Sequence, residues 1–221
     1  VSVGRSETVP FPDTGIPIGL INRIINRAFN GFKFNEFSDL NHVEAILFDF
    51  DGTDRLEKVG SNVVIALENA LLRAAAGGGS VWKLLNPYAN EMPVPIGECI
   101  GGGKHYNGEG TDFEEFVVIP HAESFYEASY FNHYVYKRLE KLMLLNSRTY
   151  TGSWATTSDT SVVLETLRKL TEEMLGKFGV KIGIGVDVAA THLYSGGYYF
   201  YKKEKLDRDK QIKYIKIGLM V

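Results

Sequence analysis

Two prolines within four residues, at 92–95 (MPVP), divide this sequence into parts with different hydrophobic patterns. Proline lacks a backbone N–H and fixes φ, so neither a helix nor a central strand runs easily through such a segment. Before the segment, apolar side chains recur at helical spacing; after it, short apolar runs alternate with helical patterns. The segment therefore predicts a domain boundary, with one domain over 1–91 and a second over 92–221.

The N-terminal part predicts a set of amphipathic helices. Apolar residues recur at helical spacing from Ile18 to Phe29, and a second helical segment starts at Ser38. The most regular pattern runs from Asn62 to Ala76 and ends in three glycines, which are typical of helix C-termini. We expect these helices to pack against one another through their apolar faces.

The C-terminal part alternates strand patterns with helix patterns. Runs typical of buried strands occupy 96–100, 116–119 and 181–188, and helical patterns occupy 124–145, 161–178 and 208–215. The run at 181–188 (KIGIGVDV) has the apolar, β-branched character of a strand covered on both faces. Strands alternating with helices predict an α/β fold with a parallel sheet, and a barrel is one member of that class.

Charge and cysteine content argue against several classes of function. The formal net charge is -3, and the basic stretch at 202–216 is interrupted by acidic residues, so we expect no nucleic-acid binding. No apolar run approaches the roughly 20 residues that a membrane span needs, so we expect no membrane partner. Cys99 is the single cysteine, which excludes an intrachain disulfide and favours a reducing, cytoplasmic setting.

One motif suggests phosphoryl transfer. The segment 45–53 (AILFDFDGT) resembles the nucleophile motif of haloacid-dehalogenase-type phosphatases. In that family Asp49 would attack phosphorus, and Asp51 would act as acid and base beside a Mg²⁺ ion. Such a site also needs a later acidic pair, and the sequence offers no convincing one. The alternative interpretation is that 51–53 form a turn that caps the next helix.

Four segments in a fixed order resemble the enolase family. DGT at 51–53, followed by GSNVVIA at 60–66, resembles the enolase pattern LDGT…LGANAILGVS. MPVP followed by GGGKH at 101–105 resembles the entry into the enolase barrel. FVVIP followed by SFYEA at 124–128 resembles its next strand and loop, and IGVDVAA at 184–190 resembles its metal-bearing strand. Four blocks in order are far more specific than a single motif.

The resemblance implies a fold and an activity. The fold is α/β and enolase-like, with part of an N-terminal α+β capping domain followed by the first part of a TIM-type barrel. The activity is the Mg²⁺-dependent dehydration of 2-phosphoglycerate, a small phosphorylated acid, to phosphoenolpyruvate. Because enolases associate through their N-terminal domains, the resemblance also implies a homo-oligomer.

Three residues match functional positions of the family. Asp187 matches a metal-ligand carboxylate, at the end of a barrel strand where such a group faces the active site. Glu127 matches a loop glutamate near the leaving hydroxyl, and His105 matches the histidine of the substrate loop. The resemblance therefore implies that Glu127 and His105 are catalytic and that Asp187 binds Mg²⁺.

The sequence also departs from the family pattern. Thr151 occupies the position where the family has its proposed general acid, a glutamate, and a hydroxyl cannot replace a carboxyl in that role. Two further metal carboxylates, a lysine base and a phosphate-binding Arg-Ser pair belong to later barrel strands of the family. Two interpretations stay open: an active enolase with a longer chain, and a degenerate relative with a structural or binding role.

Overall fold

The computed structural model describes residues 7–12, 18–106 and 110–219. The chain divides into two compact units, one ending at Glu91 and the other starting at Met92. Each unit has a hydrophobic core of its own. Within the described ranges, no helix is both long enough and apolar enough to cross a membrane.

The N-terminal unit is helical, as its apolar spacing predicts. Its helices are α1 (Ile18–Ala28), α2 (Leu40–Asp51), α3 (Ser61–Ala75) and α4 (Val81–Leu85). Buried apolar side chains from α2, from the turn after it and from α3 form the core: Val43, Leu47, Leu56, Val59 and Val64. Helix α2 ends at Gly52, whose φ of 65° is the left-handed conformation that glycine adopts without strain.

Asp51, the last residue of α2, organises the turn that follows. Its side chain is fully buried. Oδ2 accepts hydrogen bonds from the backbone N–H groups of Lys58 (2.9 Å) and Val59 (2.6 Å), and Oδ1 accepts one from the hydroxyl of Thr53. Burial raises the pKa of the Asp51 carboxyl, but these hydrogen bonds outweigh burial and hold the pKa below its ordinary value.

This geometry corrects the phosphatase interpretation. A nucleophilic aspartate of that type follows a buried strand, whereas Asp49 lies exposed on helix α2. Asp51 is buried and already bonded to the backbone, so its carboxylate cannot reach a substrate or a metal ion. The segment 51–53 is the helix-capping turn of the alternative interpretation.

The C-terminal unit contains a four-stranded sheet in the order β3-β1-β2-β4. The strands are β1 (Gly97–Gly101), β2 (Glu115–His121), β3 (Trp154–Ala155) and β4 (Lys181–Asp187). The two long helices are α5 (Phe125–Leu142) between β2 and β3, and α6 (Thr160–Phe178) between β3 and β4. Their order confirms the predicted α/β fold.

A smaller sheet and two helices complete this unit. Helix α7 (Ala190–Leu193) precedes the three-stranded antiparallel sheet of β5 (Tyr194–Ser195), β6 (Tyr198–Phe200) and β7 (Lys205–Leu206), and α8 (Arg208–Leu219) follows it. The sequence analysis missed this sheet because strands of two or three residues carry too few positions for alternation to be recognised.

The prediction of a parallel sheet is wrong for two of its three strand pairs. β1 pairs parallel with β3, but β2 pairs antiparallel with both β1 and β4. Among the described residues between β1 and β2 there is a single 3₁₀ turn at 103–105 and no α-helix, so the chain reverses without the helical crossover that usually joins parallel neighbours. β1, β3 and β4 therefore run in one direction and β2 in the other.

Strand β2 has one face in the core and one face outside it. Phe116 and Val118 are fully buried and pack with Val135 and Leu139 of α5 and with Leu167 of α6. The alternate residues of β2, starting with Glu115, are partly exposed. Because side chains alternate along a strand, this pattern leaves Glu115 on the face of the sheet opposite the core.

Candidate functional site

Three carboxylates gather at one edge and on one face of the four-stranded sheet. Glu115, the first residue of β2, lies directly opposite Asp187, the last residue of β4. Glu98 of β1 lies opposite Val117, which shares the face of Glu115. The face that carries Glu115 therefore also carries Glu98, near the start of β1, and Asp187, at the carboxyl end of β4.

The loop after β1 is tied back onto the start of β2. The N–H of Gly102 donates to the carbonyl of Glu114 (2.8 Å), and the N–H of Gly103 donates to the carbonyl of Thr111 (3.1 Å). Gly103 begins a single 3₁₀ turn that ends at His105. These bonds place the histidine beside the first residues of β2.

His105 faces a carboxylate on each side of its ring. The residue is 8% exposed, and its Nδ1 lies 3.4 Å from Oε1 of Glu115. Its Nε2 lies 3.7 Å from Oε1 of Glu114, which is also buried. Within the described part of the chain, neither Nδ1 of His105 nor this Glu114 oxygen has a hydrogen-bond partner. The ring edge also packs against Tyr150, with ring centroids 4.9 Å apart.

Thr151 joins the same group through its hydroxyl. Its Oγ1 donates to Oε1 of Glu98 at 3.0 Å and lies 2.7 Å from Oγ1 of Thr149. At the position where the sequence analysis expects a glutamate, Thr151 thus provides a hydroxyl that donates a hydrogen bond to the carboxylate of Glu98.

The grouping of negative charges changes the acidity of Glu115. Partial burial raises the pKa of the Glu115 carboxyl, and the charge of Glu98 raises it further. The nearby His105 lowers this pKa, while Asp187 and Glu114 raise it; the net effect is a raised pKa. Glu115 therefore keeps its proton to a higher pH than an isolated glutamate, as a group that donates protons requires.

Asp187 is the exposed member of this edge. Its Oδ1 accepts a hydrogen bond from the N–H of Ala189 at 2.8 Å, which fixes the carboxylate at the end of β4. An exposed carboxylate with one oxygen anchored in this way can act as a ligand of a hard cation such as Mg²⁺.

Glu127 lies elsewhere and has a structural role. Ser124 caps helix α5 by accepting a hydrogen bond from the N–H of Glu127 (3.1 Å), and Oε2 of Glu127 accepts one from the N–H of Glu123 (3.1 Å). Both bonds occupy N–H groups at the helix N-terminus, one of them on the residue before the cap. The carboxylate of Glu127 is thus engaged in helix capping, and its catalytic role stays a prediction.

The structure brings two of the three predicted site residues to one sheet edge and adds two more. His105 and Asp187 both lie near Glu115, and Glu98 completes the group. The sequence analysis missed Glu98 and Glu115. The available signal was the place of Glu115, immediately before the apolar residues Phe116, Val117 and Val118. Because side chains alternate along a strand, a carboxylate at its first position lies on the face opposite Phe116 and Val118.

A pocket of about 200 Å³ opens beside this group. It is lined by residues of the loop after β1, the start of β2 and helix α7: Gly103, Lys104, Asp112, Glu114, Val188, Ala189, His192 and Leu193. Its lining carries two basic side chains, Lys104 and His192, and two carboxylates, Asp112 and Glu114. With this balance, a small anionic ligand would need a cation bound beside it.

Comparison with known proteins identifies the family. The family model described as "Enolase, C-terminal TIM barrel domain" matches residues 89–219, more than half of this chain. An enolase of Pyrobaculum aerophilum is 33% identical over 233 aligned positions, which cover 100% of this chain and 55% of that protein. An enolase of Archaeoglobus fulgidus is 35% identical over 185 positions, covering 80% of this chain and 46% of that protein.

A third relative agrees with these two. An enolase of Picrophilus torridus is 30% identical over 223 positions, covering 96% of this chain and 55% of that protein. The chain spans about half the length of the curated relatives it matches. The matched segment contains all four strands of the main sheet and every residue of the carboxylate group. The chain belongs to the enolase family.

Proposed function

We propose that the protein to which this chain belongs dehydrates 2-phosphoglycerate to phosphoenolpyruvate with the help of Mg²⁺. The observation that carries the proposal is the pairing of Glu115 with Asp187 directly across β2 and β4. Like charges at directly opposed positions destabilise a sheet. A bound divalent cation would relieve that repulsion, so the arrangement fits a site evolved for metal binding.

The chain's own residues have distinct roles in this proposal. Asp187 would hold Mg²⁺ through carboxylate oxygen, the ligand type that this hard cation prefers. The bound ion would supply positive charge to the carboxylate end of the substrate when the α-proton leaves. Glu115, with its raised pKa, would hold the proton that the departing hydroxyl needs. His105, fixed between Glu114 and Glu115, would close one wall of the site.

The substrate is anionic, so its binding depends on the positive charge that the site can offer. 2-Phosphoglycerate has a phosphate group and a carboxylate, and Lys104 lines the pocket beside the carboxylate group. Mg²⁺ at Asp187 would offset repulsion between the substrate carboxylate and the acidic sheet edge. Substrate binding is therefore expected to require the metal ion. The predicted homo-oligomer stays a prediction.

Calorimetric titration of the protein with 2-phosphoglycerate tests the proposal. We expect heat of binding when Mg²⁺ is present and none when a chelator has removed it. Asp187→Asn removes the ligand charge with little change in volume, and should weaken the Mg²⁺-dependent binding by at least about tenfold. Glu172→Gln changes an exposed carboxylate of α6 outside the group and should bind as the unaltered protein does. Equal binding with and without Mg²⁺ would contradict the proposed role of the ion.

A further inference from the structure

Residues 147–153 form a short loop before β3, called here the site loop. The N–H of Thr149 donates to the carbonyl of Ser153 at 2.9 Å, and the N–H of Gly152 donates to the carbonyl of Thr149 at 3.1 Å. These bonds close a tight turn whose tip is formed by residues 150 and 151.

The tip of the site loop contacts the carboxylate group at two points. The ring of Tyr150 packs edge-on against the imidazole of His105, with ring centroids 4.9 Å apart. The hydroxyl of Thr151 donates a hydrogen bond to the Glu98 carboxylate at 3.0 Å. Both tip residues are exposed, so the position of the tip depends strongly on the anchors of the loop behind it.

Tyr136 of α5 anchors the site loop from outside the carboxylate group. Its hydroxyl donates to the carbonyl of Gly152 at 2.8 Å. Its ring stacks on the ring of Trp154, with centroids 5.0 Å apart and 24° between the ring planes. Its backbone carbonyl accepts a hydrogen bond from Nε1 of Trp154 at 3.0 Å. One residue thus holds both the end of the loop and the strand that follows it.

Arg148 completes this anchor at the base of the loop. It pairs with Trp154 in an antiparallel bridge. Its guanidinium carbon lies 4.8 Å from the centroid of the Trp154 ring and 5.8 Å from that of the Tyr136 ring. A guanidinium above an aromatic ring is attracted by the negative charge of the ring face. Tyr136, Arg148 and Trp154 therefore form one unit, called here the aromatic clamp.

The bond from Tyr136 restrains a peptide that has few other restraints. Gly152 directly follows the tip residue Thr151, so a shift of the Gly152 carbonyl also moves the Thr151 hydroxyl relative to the Glu98 carboxylate. Gly152 has a φ of 95°, and glycine is the residue with the greatest backbone freedom. Because it has no side chain, packing does not hold this peptide, and the hydroxyl of Tyr136 does so instead.

We propose that Tyr136 is a positioning residue, which holds the tip of the site loop against the carboxylate group through its hydrogen bond to Gly152. It acts from helix α5 through the loop and not by contact with a substrate. Its effect on the loop stands on the contacts of the aromatic clamp, whereas its effect on substrate binding rests on the proposed function. A loop tip that moves would bind the same ligand less well, because the geometry of the site would no longer be fixed in advance.

Proton NMR of the His105 imidazole tests the position of the loop without any ligand, with its signals assigned by their loss in His105→Gln. The ring current of Tyr150 contributes to these signals because the two rings are in edge contact. Tyr136→Phe removes the hydroxyl and keeps the stacked ring. We expect this variant to shift the imidazole signals by more than their line width.

Tyr134→Phe is the matched control. Tyr134 lies two residues earlier on the same helix, and its hydroxyl accepts a hydrogen bond from Nζ of Lys177 at 3.3 Å. The chemical change is the same, but the lost bond is to α6 and not to the site loop. We expect the His105 signals to stay unchanged in this variant. Arg148→Met removes the cation of the aromatic clamp from its exposed side, and it tests the same loop position if Tyr136→Phe does not fold.

Calorimetric titration with 2-phosphoglycerate in the presence of Mg²⁺ measures the consequence for binding. Tyr136→Phe should bind about fivefold more weakly, as expected for the loss of one hydrogen bond, and Tyr134→Phe should bind as the unaltered protein does. Thermal unfolding should show both variants fully folded at the titration temperature, so that weaker binding reports position and not stability.

The two measurements separate the failure of this inference from the failure of the proposed function. If the unaltered protein binds no 2-phosphoglycerate, the proposed function is wrong, and the imidazole signals still decide on the role of Tyr136. Imidazole signals that are unchanged in both Tyr136→Phe and Arg148→Met, or that shift equally in Tyr136→Phe and Tyr134→Phe, would overturn the proposal.

Discussion

Asp51→Ala is expected to lower the free energy of unfolding of the N-terminal unit by about 3 kcal/mol. The substitution leaves the backbone N–H groups of Lys58 and Val59 without the carboxylate that now accepts from both. It also opens a cavity beside Val59, because Asp51 is fully buried. Urea denaturation, with hydrogen exchange to locate the change in α2 and α3, measures the effect.

Asp49→Ala is the matched control for this variant. Asp49 lies two residues earlier on the same helix and is exposed, so its substitution should change the free energy of unfolding by no more than about 0.5 kcal/mol. Similar losses for the two variants would contradict the assignment of the turn to Asp51. The comparison also separates the structural role of the DGT turn from any role in phosphoryl transfer.

The contribution of Asp51 should depend on pH in a defined direction. The folded protein holds the Asp51 pKa below its ordinary value, so the unfolded chain takes up the proton at a higher pH than the folded protein does. The stabilising effect is then fully present above about pH 3.9, the ordinary aspartate pKa, and is lost as the pH falls through the folded-state value. The difference between Asp51→Ala and the unaltered protein should therefore shrink in acid.

Gly102→Ala is expected to destabilise the C-terminal unit by about 3 kcal/mol, at the upper end of the range for overpacking. An added Cβ would overlap Oγ1 of Thr111 and lie 2.7 Å from the carbonyl oxygen of Phe113. The threonine side chain could rotate, but the Phe113 carbonyl belongs to the backbone that leads into β2. The loop after β1 would have to move, and His105 would move with it.

A second glycine supplies the control for Gly102→Ala. Gly176 lies near the end of α6, is exposed, and has no atom within 4 Å of an added Cβ. Gly176→Ala should leave the protein as stable or raise its stability by up to about 1 kcal/mol, because alanine favours helix. A Gly102→Ala protein as stable as the unaltered protein would contradict the described packing of the loop.

The helices and main strands were predictable because their apolar patterns are long. Helices α3, α5 and α6 each span at least 15 residues, enough for the helical period to be recognised. The direction of β2 was not predictable from alternation, since a strand pattern does not reveal which neighbour the strand will join. The sequence between the two strand patterns carries no helical period, and this was the physical signal for an antiparallel pair.

The site was predictable only in part, for a related reason. His105 and Asp187 were found because they occupy matched positions in recognisable segments. Glu98 and Glu115 are 17 residues apart in sequence and meet through antiparallel pairing with a register shift between Glu98 and Ile100. That shift keeps Glu98 on the open face while Ile100 enters the core. A periodic pattern read from sequence does not contain such a shift.

The most direct test of the proposed function is the effect of Mg²⁺ on thermal unfolding of the protein and of Asp187→Asn. If Asp187 holds the ion at the end of β4, millimolar Mg²⁺ should raise the Tm of the unaltered protein, since a ligand that binds only the folded state stabilises it. The variant should show no Mg²⁺-dependent rise. An equal rise in both proteins, or no rise in either, would contradict the assignment of Asp187 as the magnesium ligand.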